Sequence, residues 1–184
     1  MSRKINDTRV TVTGVRLSYA NVWKPKSING SEEKYSVSLI IPKSDTQTLQ
    51  LINEAIDSAT ENGTSKFGGK TPNKGVLKTP LRDGDIEREN DEAYKNAYFI
   101  NANSKEKPRI VDLQRRDITD ESLVYSGCHA NVSVTFYAYN ASGNKGVACG
   151  LCNIQKVKDG EALSGSALTV YDDFEAEVDD DFLN

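Results

Sequence analysis

The sequence holds a single histidine and three cysteines, and no apolar run approaches the roughly 18 residues that a membrane-spanning helix needs. Each scarcity removes a class of function. With one histidine and no nucleophile readable beside a base, there is no acid–base or nucleophilic catalytic constellation. An odd number of cysteines argues against a secreted disulfide framework and fits a reducing cytoplasm. The opening stretch, MSRKINDTRV, is polar and lacks the apolar segment of a signal peptide. Hydrophobic residues make up 37% of the chain and mean hydropathy is −0.56, so a soluble, loop-rich protein is expected. A length of 184 residues suits one ordinary domain with appendages, or two small ones at most, and can bury a core without disulfides or metal.

Charge is also unevenly spread. The net charge is −4, yet seven of the 27 acidic residues and none of the 23 basic ones fall between Asp172 and Asn184. The remaining body carries about +3. The expected organisation is therefore a mildly basic domain over 1–171 followed by an acidic tail over 172–184.

What is present is mostly strand. From Asn131, Val132, Val134, Phe136 and Ala138 alternate with Ser133, Thr135, Tyr137 and Tyr139, which gives an apolar face and a polar-aromatic face. The stretch Ala141 to Gly146 carries two glycines and an asparagine, and Val147 to Lys158 follows as a second strand, so an antiparallel hairpin is expected. Near the start, Val10 and Val12 alternate with Thr11 and Thr13. Gly14 interrupts as a bulge or corner, and Val15, Leu17 and Tyr19 continue. Lys24 to Ser31 is a loop by composition. Tyr35, Val37, Leu39 and Ile41 form the inner side of the next strand, which stops at Pro42.

One helix is expected over about 45–61, capped by Ser44 or Asp45. Its stripe of Leu49, Ile52, Ile56 and Ala59 is core-facing. Residues 63–96 read as a long insertion loop, followed by short strands at Tyr98–Asn101 and Lys107–Leu113; a last strand is expected at Leu163–Tyr171. Strands interrupted by one helix and a long loop suggest a small closed or nearly closed barrel.

Three chemical motifs are weak. Thr64 to Thr71 nearly spells a phosphate-binding loop, but its first glycine is replaced, no apolar strand precedes it, and Pro72 follows where a helix must begin. Cys128, His129, Cys149 and Cys152 could supply zinc ligands. In strands, however, neighbours and residues three apart point to opposite faces, so small buried cysteines are the plainer account. Asp83 and Asp85 could bind magnesium, though Asp-Gly-Asp is also a common turn. No cofactor, metal or catalysis is expected.

The stronger constellation is basic residues interleaved with aromatics. Arg16 lies near Tyr19, Trp23 near Lys24 and Lys26, and Lys34 beside Tyr35. Lys43, Arg82, Arg109, Arg115, Arg116, Lys145, Lys156 and Lys158 could extend one groove, with Tyr137 and Tyr139 on the outer face of the central strand. A positive groove with aromatic platforms suits single-stranded nucleic acid. Solvated surface charge, and tyrosines that merely cover the barrel rim, would leave the same pattern.

These residues also carry a resemblance. Arg16-Leu17-Ser18-Tyr19-Ala20-Asn21, Lys34-Tyr35-Ser36 running into Ile41-Pro42-Lys43, and Leu81-Arg82-Asp83-Gly84-Asp85 belong to it. So do Tyr125-Ser126-Gly127, Gly146-Val147-Ala148, Gly150-Leu151, Asn153-Ile154-Gln155-Lys156 and Asp159-Gly160. Together they resemble the bacteriophage single-stranded DNA-binding proteins grouped as DUF2815, over about Val10 to Phe174. The resemblance implies a mostly β, OB-fold-like five-stranded barrel with one helix, long insertion loops and a disordered acidic tail. It also implies sequence-independent binding of single-stranded DNA in phage replication or recombination, in the host cell cytoplasm, with no catalysis.

The tail residues Asp179, Asp180, Asp181, Phe182 and Leu183 are similar to the acidic-then-apolar ends through which single-strand binders recruit replication or recombination enzymes; a solubilising tail is the plain alternative. The competing functions are a metal-dependent DNA-processing enzyme such as a nuclease, and a phage structural or assembly protein. No membrane partner is expected, and oligomeric state stays open, a homodimer included.

Overall fold

The alternation of β-branched and polar residues becomes the wall of a closed barrel in the computed structural model, which describes residues 1–27, 30–73 and 75–163. In chain order the strands are β1 (Arg3–Lys4), β2 (Arg9–Lys26), β3 (Lys34–Pro42), β4 (Leu81–Asp83), β5 (Ala97–Ser104), β6 (Arg109–Val111), β7 (His129–Ala141) and β8 (Asn144–Lys158). The helices are α1 (Thr46–Asn62) and the single turn α2 (Gly84–Glu87).

Antiparallel pairs join β2 to β3, β3 to β5, β7 to β8 and β7 back to β2. A short parallel pairing of β5 with β8, Ala102 to Cys149 and Asn103 to Gly150, closes the ring. The five-stranded, OB-fold-like barrel expected from the resemblance is what forms, with β1, β4 and β6 added at its margins. Closure removes the open edges that would otherwise recruit foreign strands.

The inner face is apolar throughout. Val10, Val12, Val15 and Leu17 from β2, Val37, Leu39 and Ile41 from β3, and Val132, Val134 and Phe136 from β7 are all buried in one cluster. Each such side chain contributes about 1.5–3 kcal/mol by leaving water. From α1, Ile52, Ala55 and Ala59 join the same cluster, so the helix packs on the barrel core as its stripe predicts. Asp45 is its cap, accepting from the Thr48 amide at 3.2 Å. At its far end a Cβ on Gly63 would lie 2.1 Å from the Ala138 Cβ, so a bare backbone is what lets the helix meet β7.

The loop expected from Lys24 begins later, because β2 runs on to Lys26, which pairs with Lys34. Two further features differ from expectation. The hairpin loop is only two residues, Ser142 (φ 53°) and Gly143 (φ 88°), a tight turn whose twist matches the flanking strands. The insertion at 63–96 is also more ordered than its polar composition suggests. It contains a 3-10 turn at Thr64–Phe67, then β4, α2 and a second 3-10 turn at Glu92–Tyr94. Asp83 and Asp91 start the last two of these turns by accepting the amides of Asp85 and Ala93. Buried Phe67 and Tyr94 anchor the segment. Tyr94 meets Phe99 edge-to-face at 5.1 Å in a second small cluster with Ile40 and Ala97, on the outer side of β3 and β5.

The strand expected at Leu163–Tyr171 lies outside the described residues beyond Leu163, as does the whole acidic tail including Asp179, Asp180, Asp181, Phe182 and Leu183. Among the described residues no helix is long and apolar enough to cross a membrane.

Candidate nucleic-acid interface

The outer face of the barrel is shaped by a defect in β2. Ser18 pairs with Ser38 and Asn21 with Ser36, so two residues, Tyr19 and Ala20, stand opposite Val37 alone. Tyr19 takes φ 46°, a left-handed conformation that costs a residue with a side chain about 1–2 kcal/mol. Local hydrogen bonds hold it there. The Ser126 hydroxyl oxygen accepts from the Ala20 amide at 2.9 Å, and Asn21 Nδ2 donates to the Tyr19 carbonyl at 3.2 Å. The bulge re-aims Tyr19 outward, leaving it 57% exposed.

Tyr19 overlooks a trough of about 540 Å³ whose floor is Ser36 and Ser38 of β3 and Asn101 and Asn103 of β5. A second trough, about 870 Å³, shares Lys34, Asn101 and Asn103 with the first and continues to Ala148, Tyr137 and Tyr139. The two form one groove across β2, β3, β5, β8 and β7. Four strand spacings separate Tyr19 from Tyr137 along this path, roughly 19 Å of sheet. Tyr137 is 42% exposed and burial pushes its phenol pKa up, so the ring sits half in the wall. Tyr139 is half-buried beside it, with Gly146 pressed against its hydroxyl.

Cations border the groove. Lys26 and Lys34 flank the Tyr19 end with Arg88, while Lys78 and Arg82 flank the Tyr137 end. Arg82 is paired with Glu87, and its guanidinium stands 5.6 Å from the Phe99 ring. Arg88 stacks over the same ring from 4.9 Å. The arrangement therefore offers aromatic faces at both ends, hydroxyl and amide groups along the floor, and a rim where Lys26, Lys34, Lys78, Arg82 and Arg88 outnumber Glu32, Asp83 and Glu87.

Of the residues singled out in the sequence, Tyr19, Lys26, Lys34, Arg82, Tyr137 and Tyr139 line this groove. Others are engaged elsewhere. Trp23 packs on the core and donates its indole N–H to the Val124 carbonyl at 2.9 Å. Tyr35 falls on the inward-facing parity of β3, and Arg16 donates to the carbonyls of Glu161 and Gly127. Lys43 sits between Asp83 and Asp85 at 2.9 and 2.8 Å, 5.1 Å from the Tyr98 ring. Hydrogen bonds to Asp85 and then Asp83 hold its pKa above the ordinary lysine value.

Arg109 pairs with Asp117 at 2.7 Å, Arg116 with Asp112 at 2.9 Å and Lys156 with Asp159. Lys156 borders a separate hollow beside Leu113 and Leu123. Lys24 and Arg115 are exposed away from the groove, and Lys145 lies at the hairpin, where its carbonyl accepts from the Lys78 amide.

Sequence reasoning missed Asn21, Asn101, Asn103, Lys78 and Arg88. The two asparagines on β5 were legible as the polar partners of buried Ile100 and Ala102 in an alternating strand. Tyr19 was singled out as an aromatic, but nothing in its sequence context announced the bulge.

The other chemical motifs are placed as follows. Cys128 and Cys149 are buried and Cys152 half-buried, and burial pushes all three thiols up, away from the thiolate that binds metal. Among the described residues no three His, Cys, Asp or Glu side chains are grouped to hold a metal ion. Asp83 and Asp85 face the Lys43 ammonium. After Gly68 and Gly69 the near-match to a phosphate loop continues as irregular chain through Asn73, where such a loop would open a helix.

Residues 8–183 match the profile of a family described as Enterobacter phage Enc34, ssDNA-binding protein. The p50 protein of Acyrthosiphon pisum secondary endosymbiont phage 1 is 30% identical over 176 residues, covering 91% of this chain and 92% of that one. Among solved structures, the fold is similar to the single-stranded DNA-binding protein from bacteriophage Enc34 in complex with ssDNA. That similarity has a TM-score of 0.75 at 22% identity over 88% of this chain and 96% of the other. It is also similar to gp2.5, a single-stranded DNA-binding protein encoded by bacteriophage T7, with a TM-score of 0.59 at 15% identity, covering 92% and 98%.

Proposed function

Because the chain belongs to the Enterobacter phage Enc34 family of ssDNA-binding proteins, a family of binding proteins and not of enzymes, we propose that it coats single-stranded DNA through the groove on its barrel. The observation that carries this reading is the continuity of that groove, with Tyr19 presented by a strained bulge at one end and Tyr137 and Tyr139 at the other. Every base has a π-face, so stacking on these rings is tolerant of sequence and is worth about 1–3 kcal/mol per base. Lys26, Lys34 and Lys78 would neutralise phosphates along the rim, which makes affinity fall as salt rises.

The acidic tail would compete for the same groove. Seven carboxylates tethered to a body of about +3 form an intramolecular polyanion at high effective concentration. DNA would release it and free Phe182 and Leu183 to recruit replication or recombination enzymes of the phage or its host.

The test is incubation with a labelled oligonucleotide and magnesium. Retardation without cleavage supports this function. Cleavage would favour a metal-dependent nuclease, and the absence of both retardation and cleavage would favour a structural or assembly role.

A further inference from the structure

The groove already holds an anion of its own. Arg82 meets the Glu87 carboxylate with Nε at 2.8 and 3.0 Å from its two oxygens, and Nη2 also contacts Oε1. Both donors on that edge of the guanidinium converge on Oε1, the same edge an arginine offers to a phosphate. Both side chains lie in the groove wall, partly open to solvent.

Arg88 follows directly. Its guanidinium rests on Phe99 and Tyr94 and borders the Tyr19 end of the groove. One donor, Nη1, reaches the Glu87 carbonyl at 3.0 Å. Among the described residues no carboxylate forms an ion pair with Arg88, although Asp85, Glu89, Asp91 and Glu92 line a neighbouring hollow with it. A ligand phosphate would therefore meet an unpaired guanidinium beside acidic neighbours.

We propose that Glu87 is a resident anion that occupies that edge of Arg82 in the free protein, that a DNA phosphate displaces it, and that Arg88 is a second phosphate contact. The proposal rests on the groove being the single-strand site. An exposed pair of this kind is weak, so exchange is inexpensive for a polyanion that also engages Arg88 and the rim lysines. A ligand with one isolated negative charge gains little from the same exchange. The insertion between β4 and β5 thus sets a threshold that favours long strands over mononucleotides.

The experiment measures affinity for a fluorescent oligothymidine across a salt series in wild type, E87Q, E89Q, R82Q, R82Q/E87Q and R88Q, with thermal melts to establish folding. E87Q is expected to tighten binding about two- to fivefold at low salt, and R82Q to weaken it. In the R82Q background E87Q should gain no more than E89Q does in wild type. R88Q should lower the slope of log affinity against log salt by about 0.7, one phosphate's worth. An E87Q gain that is absent, or equally large without Arg82, overturns the resident-anion assignment. A wild-type slope in R88Q overturns the second contact. If the wild-type protein itself does not bind the oligonucleotide, the single-strand reading falls and takes this proposal with it. If wild type binds and E87Q matches it, only the proposal falls.

Discussion

Replacing Tyr19 by glycine and by alanine should separate its two roles, because the backbone and the ring make opposite demands. The backbone sits at φ 46°, where a side chain costs about 1–2 kcal/mol and glycine costs nothing. Glycine also loses more chain entropy on folding, which takes back roughly 0.5–1 kcal/mol. The ring, 57% exposed, is lost equally in both variants. Y19G should therefore be the more stable of the two by about 0.5–1 kcal/mol, or about 1–4 °C in melting temperature for a chain of this size. Binding should show no such split. If the ring stacks on a base, both variants lose about 1–3 kcal/mol, or roughly 5- to 150-fold in affinity. Circular dichroism melts and fluorescence anisotropy with oligothymidine measure the two quantities on the same samples. An alanine variant at least as stable as the glycine variant would falsify the strain argument, and wild-type affinity in both would remove Tyr19 from the binding site.

Y137A and Y139A should each weaken single-strand binding by about 1–3 kcal/mol with the melting transition retained; unchanged affinity in both rules that end of the groove out as a platform. Deleting Asp172 to Asn184 should tighten binding at low salt, with the gain shrinking as salt rises, and an unchanged low-salt affinity ends the competition idea. Asp85 is held below the ordinary carboxylate range, first by its hydrogen bond from Lys43 and then by the Asn96 amide. Its stabilisation is complete above that range and is lost as pH falls from it through the lowered value of the folded state. The melting gap between wild type and D85N should therefore close below about pH 4, and a constant gap down to pH 2 would show that the charge is not involved.

The hairpin, the helix and the barrel class were legible because each rests on periodicity, and Val132 to Ala138 or Leu49 to Ala59 show theirs without help from the rest of the chain. The groove was only half legible, for two physical reasons. Several of the basic residues are neutralised by acids close in sequence, as Arg109 is by Asp117, Arg116 by Asp112 and Lys156 by Asp159. A count of cations alone overlooks this, although the acids stand three to eight residues away in plain view. The second reason is that aromatic residues do not advertise their direction. Trp23 turns to the Val124 carbonyl while Tyr19, four residues earlier, turns outward, and the difference is made by a register slip against β3 and the Ser126 hydroxyl.

The parallel seam between β5 and β8 also sets an order of events during synthesis. β2, near the start of the chain, pairs with β7, which begins more than a hundred residues later, and the ring shuts only when β8 reaches β5. Closing such long loops is slow, because chain entropy is lost before any contact repays it. A ribosome-bound chain that lacks β8 thus has strands with open edges and calls for shielding until it is released. It also has no groove, since Asn103 and Tyr137 share a wall only once Ala148 lies between them. If this groove is the single-strand site, a product truncated before β8 should have no affinity for DNA and should not compete with the finished protein for the strand.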